Sequence, residues 1–243
     1  MFDLTGKTAL VTGSTQGIGF DIAKSLAEHG AKVFVHGASS MEKCVAASSK
    51  IEGSVPVRAN LTDMAEVAAL AEQTGPVDIL VLNASIQYKR AWDGFTLEEY
   101  ETQMNCNVRA SYFLIKKYAQ GMKEKRTGRI VAIGSVNQYT QHPELSLYSA
   151  SKAAQFKLVK SFAAALAPYG ITVNNVAPGA IDTPRNADVC GDPVKKEAVV
   201  AMIPCGRFGV PSDVSPAVLL LCSDEGAYIT GSEIVIDGGL SLK

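Results

Sequence analysis

Two side chains of opposite character sit four residues apart in Tyr148-Ser149-Ala150-Ser151-Lys152. On a helix that spacing puts them on one face, so the Tyr148 phenol and the Lys152 ammonium are neighbours. A cation beside a phenol favours the phenolate and draws its pKa down from about 10. Such a tyrosine can exchange a proton with a substrate oxygen at neutral pH. Ser135 stands thirteen residues earlier, just past the β-branched run Arg129-Ile-Val-Ala-Ile-Gly134. Ligands of open α/β sheets bind beyond the carboxyl ends of strands, which places Ser135 to hold the same oxygen as Tyr148. Asn107 lies in a helical stretch and is placed to polarise Lys152 through water. With Asn105 so near, it also reads as a plain helix-interior amide. A tyrosine and lysine four apart commonly mark only a helix surface; the three signals together carry more than any one.

A second constellation is Thr12-Gly13-Ser14-Thr15-Gln16-Gly17-Ile18-Gly19. A pyrophosphate needs backbone N–H donors at a helix N-terminus and no side chains in the way, and Gly13, Gly17 and Gly19 meet that need. The spacing is GxxxGxG, not the GxGxxG of the usual dinucleotide fingerprint. A glycine-rich turn with no ligand is the plain alternative. Its place between the first strand and the first helix favours a nucleotide. The second strand ends in His36-Gly37-Ala38-Ser39-Ser40, without the acid that binds a ribose 2′-hydroxyl in NAD enzymes. No carboxylate there repels a 2′-phosphate, and Ser39, Ser40 and Lys43 are placed to contact one. The residues therefore favour NADP. The missing arginine, and Gln16 where a basic group would help, leave NAD open.

The elements that must position these residues alternate along the chain. Strands are expected at Thr8–Thr12, Lys32–His36, Val55–Ala59, Val77–Leu82, Arg129–Gly134, Ile171–Val176 and Glu233–Ile236. Pro56 puts the third at a sheet edge, because proline cannot donate a ladder hydrogen bond. Helices are expected at Ile18–His29, Leu97–Lys125, Leu147–Leu166 and Val214–Cys222. Strands alternating with helices imply right-handed crossovers and a mostly parallel sheet. The reading is one α/β domain spanning 1–243, doubly wound, with seven strands and helices on both faces. The stretch 181–209 is rich in Pro, Gly and Asp and lacks periodicity, as lids over sites often do.

Composition narrows the classes. The chain has 243 residues, 47% hydrophobic and 19% charged, which suits a sizeable core. A formal net charge of -1 supplies no global field for nucleic acid or anionic lipid. No apolar run is long enough for a membrane span, and the start lacks a signal-peptide layout, so the expected location is cytoplasmic. Five scattered cysteines and three scattered histidines show no ligand spacing, so neither a metal site nor a disulfide framework is expected.

Taken in order, Thr12–Gly19, Asn83-Ala84, Asn107, Ser135, Tyr148 with Lys152, Pro178-Gly179 with Ile181 and Thr183, and Ile236-Asp-Gly-Gly239 resemble the short-chain dehydrogenase/reductase family along essentially the whole chain. The resemblance implies a Rossmann fold and an oxidoreductase using a nicotinamide dinucleotide on a secondary alcohol or ketone. It implies Tyr148 as general acid/base, Ser135 steadying the reacting oxygen, Lys152 tuning the tyrosine and holding the nicotinamide ribose, and Asn107 supporting a proton relay. It further implies Asn60 and Leu61 beside adenine, Asn83 and Ala84 beside the adenosine ribose, Ile181 and Thr183 at the nicotinamide amide, and a homotetramer or homodimer. Two positions depart from the family pattern. Ser85 stands where a glycine is usual, and His36 where an acid is common; the first bears on cofactor packing, the second on NAD preference.

Substrate groups should come from loops at the strand ends: Gln87, Lys89, Arg90, Trp92, Asn137, Gln138, His142, Arg185 and Asn186. This polar set suits a sugar, polyol or sugar acid. Asn83–Arg90 is similar to the loop of gluconate 5-dehydrogenase-like members, which would give Lys89 and Arg90 a carboxylate to pair with; solvated surface charges are the plain alternative. A competing reading is a 3-oxoacyl-carrier-protein reductase, with Lys116, Lys117, Lys123, Lys125, Arg126 and Arg129 as a patch for an acidic carrier. A dinucleotide-holding redox sensor is a third, opposed by the intact Ser135, Tyr148 and Lys152.

Overall fold

The computed structural model describes residues 2–242. Its strands are β1 (Thr8–Val11), β2 (Lys32–Gly37), β3 (Val55–Arg58), β4 (Ile79–Leu82), β5 (Gly128–Ile133), β6 (Ile171–Pro178) and β7 (Glu233–Ile236). They form one sheet in the order β3-β2-β1-β4-β5-β6-β7. All the pairings are parallel, so the expected mostly parallel sheet is parallel throughout the described residues. β3, the strand with Pro56, is an edge strand as its sequence requires.

Strands buried on both faces carry near-continuous apolar runs. Side-chain alternation then feeds two cores. Leu10 and Leu80 face one layer, while Ala9, Val11, Ile79 and Val81 face the other. The first layer is covered by α3 (Met64–Thr74), α5 (Ala110–Lys125) and α6 (Ser146–Leu166), the second by α1 (Gly17–Glu28), α2 (Met41–Ser48) and α9 (Pro211–Cys222). The winding reverses between β1 and β4, which opens a crevice at their carboxyl ends.

Two expectations change. The predicted helix Leu97–Lys125 is not uniform: α4 (Leu97–Met104) runs through a π-helical turn, Asn105–Arg109, into α5. Periodicity cannot register one widened turn, and such turns gather at functional sites. The stretch 181–209 is not irregular either. It holds α7 (Ala187–Cys190) and α8 (Pro193–Val200). Asp192 caps α8 by accepting from Val194 and Lys195 N–H, with Pro193 at its first position. None of the α8 residues is buried, so no apolar stripe advertised it.

Candidate active site

The glycine turn joins β1 to α1 with Gly13 at φ +64 and Gly17 at φ +57, a region that disfavours side chains. A Cβ on Gly13 would lie 2.8 Å from Ala84 Cα, and one on Gly19 2.3 Å from Asn83 Nδ2. Asn83 therefore serves the turn: its Nδ2 donates to the carbonyls of Thr12 and Gly13, both at 2.9 Å. Thr12 Oγ1 in turn accepts from the N–H groups of Asn83 and Ala84 and donates to Val81 O. His36, 1% exposed, accepts from Gly13 N–H at Nδ1 (3.0 Å), and its Nε2 lies 3.0 Å from Ala59 O. A carbonyl only accepts, so the ring is neutral with its proton on Nε2. Burial, first, holds the His36 pKa down at about 4; the Ala59 bond opposes this and nearby Arg58 adds to it.

From this turn a cleft of about 480 Å³ runs across the carboxyl ends of the strands. Thr15, Gln16, Ile18, Gly37, Asn60 and Leu61 line one end, and Ala84, Ser85, Pro178, Gly179, Ile181 and Thr183 continue it. Ser135, Tyr148 and Lys152 also line it. Ser135 Oγ accepts from Asn137 N–H (3.2 Å) and its own proton has no acceptor among the described residues. The Tyr148 hydroxyl likewise lacks a hydrogen-bond partner among them, although the residue is only 4% exposed. Lys152 Nζ lies 5.8 Å from the Tyr148 ring centroid and donates to Ile133 O at 2.7 Å. Its burial, then the Arg185 guanidinium, push its pKa down to about 7; Cys106 opposes them. Burial pushes the Cys106 thiol up to about 11, so that sulfur is no anion at neutral pH.

Asn107, fully buried in the π turn, does not line the cleft. Its Oδ1 accepts from Ile86 N–H (2.8 Å), and its Nδ2 donates to Ile86 O (2.9 Å) and Ser151 Oγ (3.0 Å). Ser151 Oγ donates to Tyr148 O (2.7 Å), so Asn107 ties the cleft wall at Ile86 to the helix bearing Tyr148 and Lys152.

Two hydroxyls whose protons have no acceptor among the described residues stand beside a buried amine in a cleft that begins in a phosphate-type turn; such groups can exchange a proton with a carbonyl oxygen whose carbon gains or loses a hydride. The turn, bare of Cβ atoms at Gly13, Gly17 and Gly19, fits a dinucleotide. Comparison with known proteins agrees. The family model described as enoyl-(acyl carrier protein) reductase matches residues 13–241. The chain belongs to the short-chain dehydrogenase/reductase family. It is an oxidoreductase acting on CH–OH groups. It is 40% identical over 246 residues to the 3-oxoacyl-(acyl-carrier-protein) reductase of Haemophilus influenzae, covering 99% of this chain and 100% of that one. It is 34% identical over 249 residues to an L-rhamnose 1-dehydrogenase (NAD(P)(+)) of a Sphingomonas species, covering 99% and 98%. A gluconate 5-dehydrogenase from Burkholderia cenocepacia, solved with NADP and tartrate, superposes with a TM-score of 0.92 at 29% identity, covering 100% and 98%.

In this short-chain dehydrogenase/reductase several candidate site residues lie elsewhere. Ser14 is fully buried; its hydroxyl donates to Val11 O and accepts from His36 N–H, so it braces the turn from behind. Ser39 is exposed and outside the cleft lining. Gln138 turns away to donate to Glu233 and does not line the cleft. Lys89 pairs with Glu144 (3.2 Å) and Arg90 with Glu99 (2.6 Å), so both are engaged surface charges; Trp92 is exposed. Gln87, Asn137, Arg185 and Asn186 do line the cleft. Ser85 also lines it and accepts from Arg185 Nη2 through its carbonyl (2.7 Å); its φ is not positive, so the missing glycine brings no backbone strain. Gln155 and Ser111 are buried polar residues behind Lys152 that the motif reading passed over. Gln155 lies three residues beyond Lys152 on the same helix face, and that spacing was a usable signal.

Proposed function

We propose that this chain moves a hydride between NADP and a secondary hydroxyl or ketone on a small hydroxylated carboxylate of the sugar-acid kind. The observation that carries the substrate class is Arg185. It lines the cleft, its charge is felt at Lys152, and no acid of the described residues pairs with it. A guanidinium with donors to spare suits a planar carboxylate. Gln87, Asn137 and Asn186 add groups for hydroxyls.

When bound, the nicotinamide accepts or supplies the hydride. The chain's own residues do the rest. Ser135 donates its free proton to the reacting oxygen. Tyr148 takes the alcohol proton in oxidation and returns it in reduction. Lys152 favours the phenolate through its charge. Gly13, Gly17 and Gly19 leave room for the pyrophosphate, with His36 and Asn60 under the adenosine end. NADP is favoured because no carboxylate ends β2, and it is the cofactor bound in the superposed gluconate 5-dehydrogenase. The segment 181–209 acts as a lid. Its ends are pinned by the Ile181–Gly209 bridge and by Asp182 N–H donating to Gly209 O (2.8 Å), and Val189, Val199 and Phe208 face the cleft. Exposed Tyr112 and Phe113 on α5 support a homo-oligomer.

The second reading, a 3-oxoacyl-carrier-protein reductase, is favoured by the Haemophilus influenzae relative. Its expected basic patch is weakened here, because Arg129 is buried against Asp224 and Lys125 pairs with Asp78. A rate screen with NADP over hexonates, neutral polyols and 3-oxoacyl thioesters separates the two. The expected result is hexonate turnover, with Arg185→Gln raising KM for the acid about tenfold or more and changing KM for neutral polyols far less. Fast thioester reduction, or an acid KM indifferent to Arg185, overturns the substrate assignment.

A further inference from the structure

Lys152 is 1% exposed and no carboxylate of the described residues faces it. The charged or titratable groups around it are Tyr148 on its own helix, Arg185 from the segment after β6 and Cys106 from the π turn. A buried ammonium with a cation nearby and no anion gives up its proton unless polar groups hold it. Two acceptors do so: Ile133 O at 2.7 Å and Gln155 Oε1 at 3.1 Å. Gln155 is itself 1% exposed and is anchored behind, its Nε2 donating to Ser111 Oγ at 2.9 Å. Ser111 Oγ then donates to Asn107 O at 2.8 Å. Every donor in this line points away from Lys152, so each dipole presents its negative end towards the ammonium. Such aligned chains reinforce one another in a dry interior.

We propose that Gln155 is a positioning residue whose carbonyl, braced by Ser111, keeps the Lys152 ammonium charged and fixed beside Tyr148. This rests on the reading of Tyr148 and Lys152 as the proton-transfer pair. The test is NMR titration of protein labelled with ¹³C-lysine, with the Lys152 signal assigned by its loss in Lys152→Met. The wild-type midpoint is expected at about 7. Gln155→Leu should lower it by about one unit, which corresponds to about tenfold less ammonium at a given pH above the midpoint. Ser111→Ala, which does not touch the lysine, should lower it by less. Gln155→Glu, which keeps an oxygen for Nζ, should raise it. An unmoved midpoint in folded Gln155→Leu overturns the proposal. If that variant does not fold, an unmoved midpoint in Ser111→Ala does so. Turnover of Tyr148→Phe is measured in parallel: retained turnover defeats the proton-transfer reading, whereas an inactive Tyr148→Phe with unmoved Lys152 midpoints defeats only the role of Gln155.

Discussion

His36 is held neutral between a backbone donor at Gly13 and a backbone acceptor at Ala59, and that makes it a source of acid lability. Its folded pKa of about 4 lies below the ordinary 6.5, so the fold has its full contribution above about 6.5. As pH falls from there towards 4, the unfolded chain binds the proton and the folded chain does not, and stability is lost. For a side chain this buried the loss is about 3 kcal/mol. Urea unfolding at several pH values in that window should show the wild type losing stability more steeply than His36→Gln. Parallel slopes would show that the ring is not held as described. The sequence showed that no acid stands at this position; it did not show that the imidazole would be buried under the glycine turn, because both partners are main-chain atoms of other segments, just past β1 and β3.

At the scale of elements, the π turn Asn105–Arg109 and the glycine turn are the two places where backbone geometry serves the site. Asn107→Leu leaves the N–H and carbonyl of Ile86 and one acceptor site on Ser151 without their partner, which should cost roughly 3 kcal/mol in denaturant unfolding. A loss below about 0.5 kcal/mol would mean the amide is not structural. Gly19→Val should abolish dinucleotide binding, read by quenching of protein fluorescence, because its side chain would strike Asn83 Nδ2 and the Gly13 carbonyl that define the turn. Undiminished binding would contradict the cradle. The seven strands, the edge position of β3 and the Tyr148–Lys152 pairing were legible because apolar periodicity, Pro56 and a four-residue spacing each act locally. The widened turn was not, because periodicity does not register it; the exposed α8 was not, because no apolar stripe marks it; and the turning of Gln138 onto Glu233 was not, because its partner lies far along the chain. Of the two readings of Lys89 and Arg90, the structure gives the surface charges, paired with Glu144 and Glu99, and Arg185 lines the cleft with no acid partner among the described residues.

The whole molecule couples cofactor to fold, because the cleft is built from β1, β2, β4, β5 and β6 together. A ligand that binds only the folded chain stabilises it by about 2.7 kcal/mol at a concentration one hundred times its Kd. For a chain of this size that is a rise in Tm of about 5–10 °C. Thermal scans with NADP and NAD at equal concentration should give the larger shift with NADP; a larger NAD shift would reverse the preference drawn from the bare end of β2. The central claim concerns one phenol in that cleft. Turnover and cofactor Kd of Tyr148→Phe, measured side by side, test it most directly. Turnover should fall about 10³-fold, within the range of general acid/base contributions, while the Kd for NADP stays within about twofold. Wild-type turnover in the variant would contradict the account.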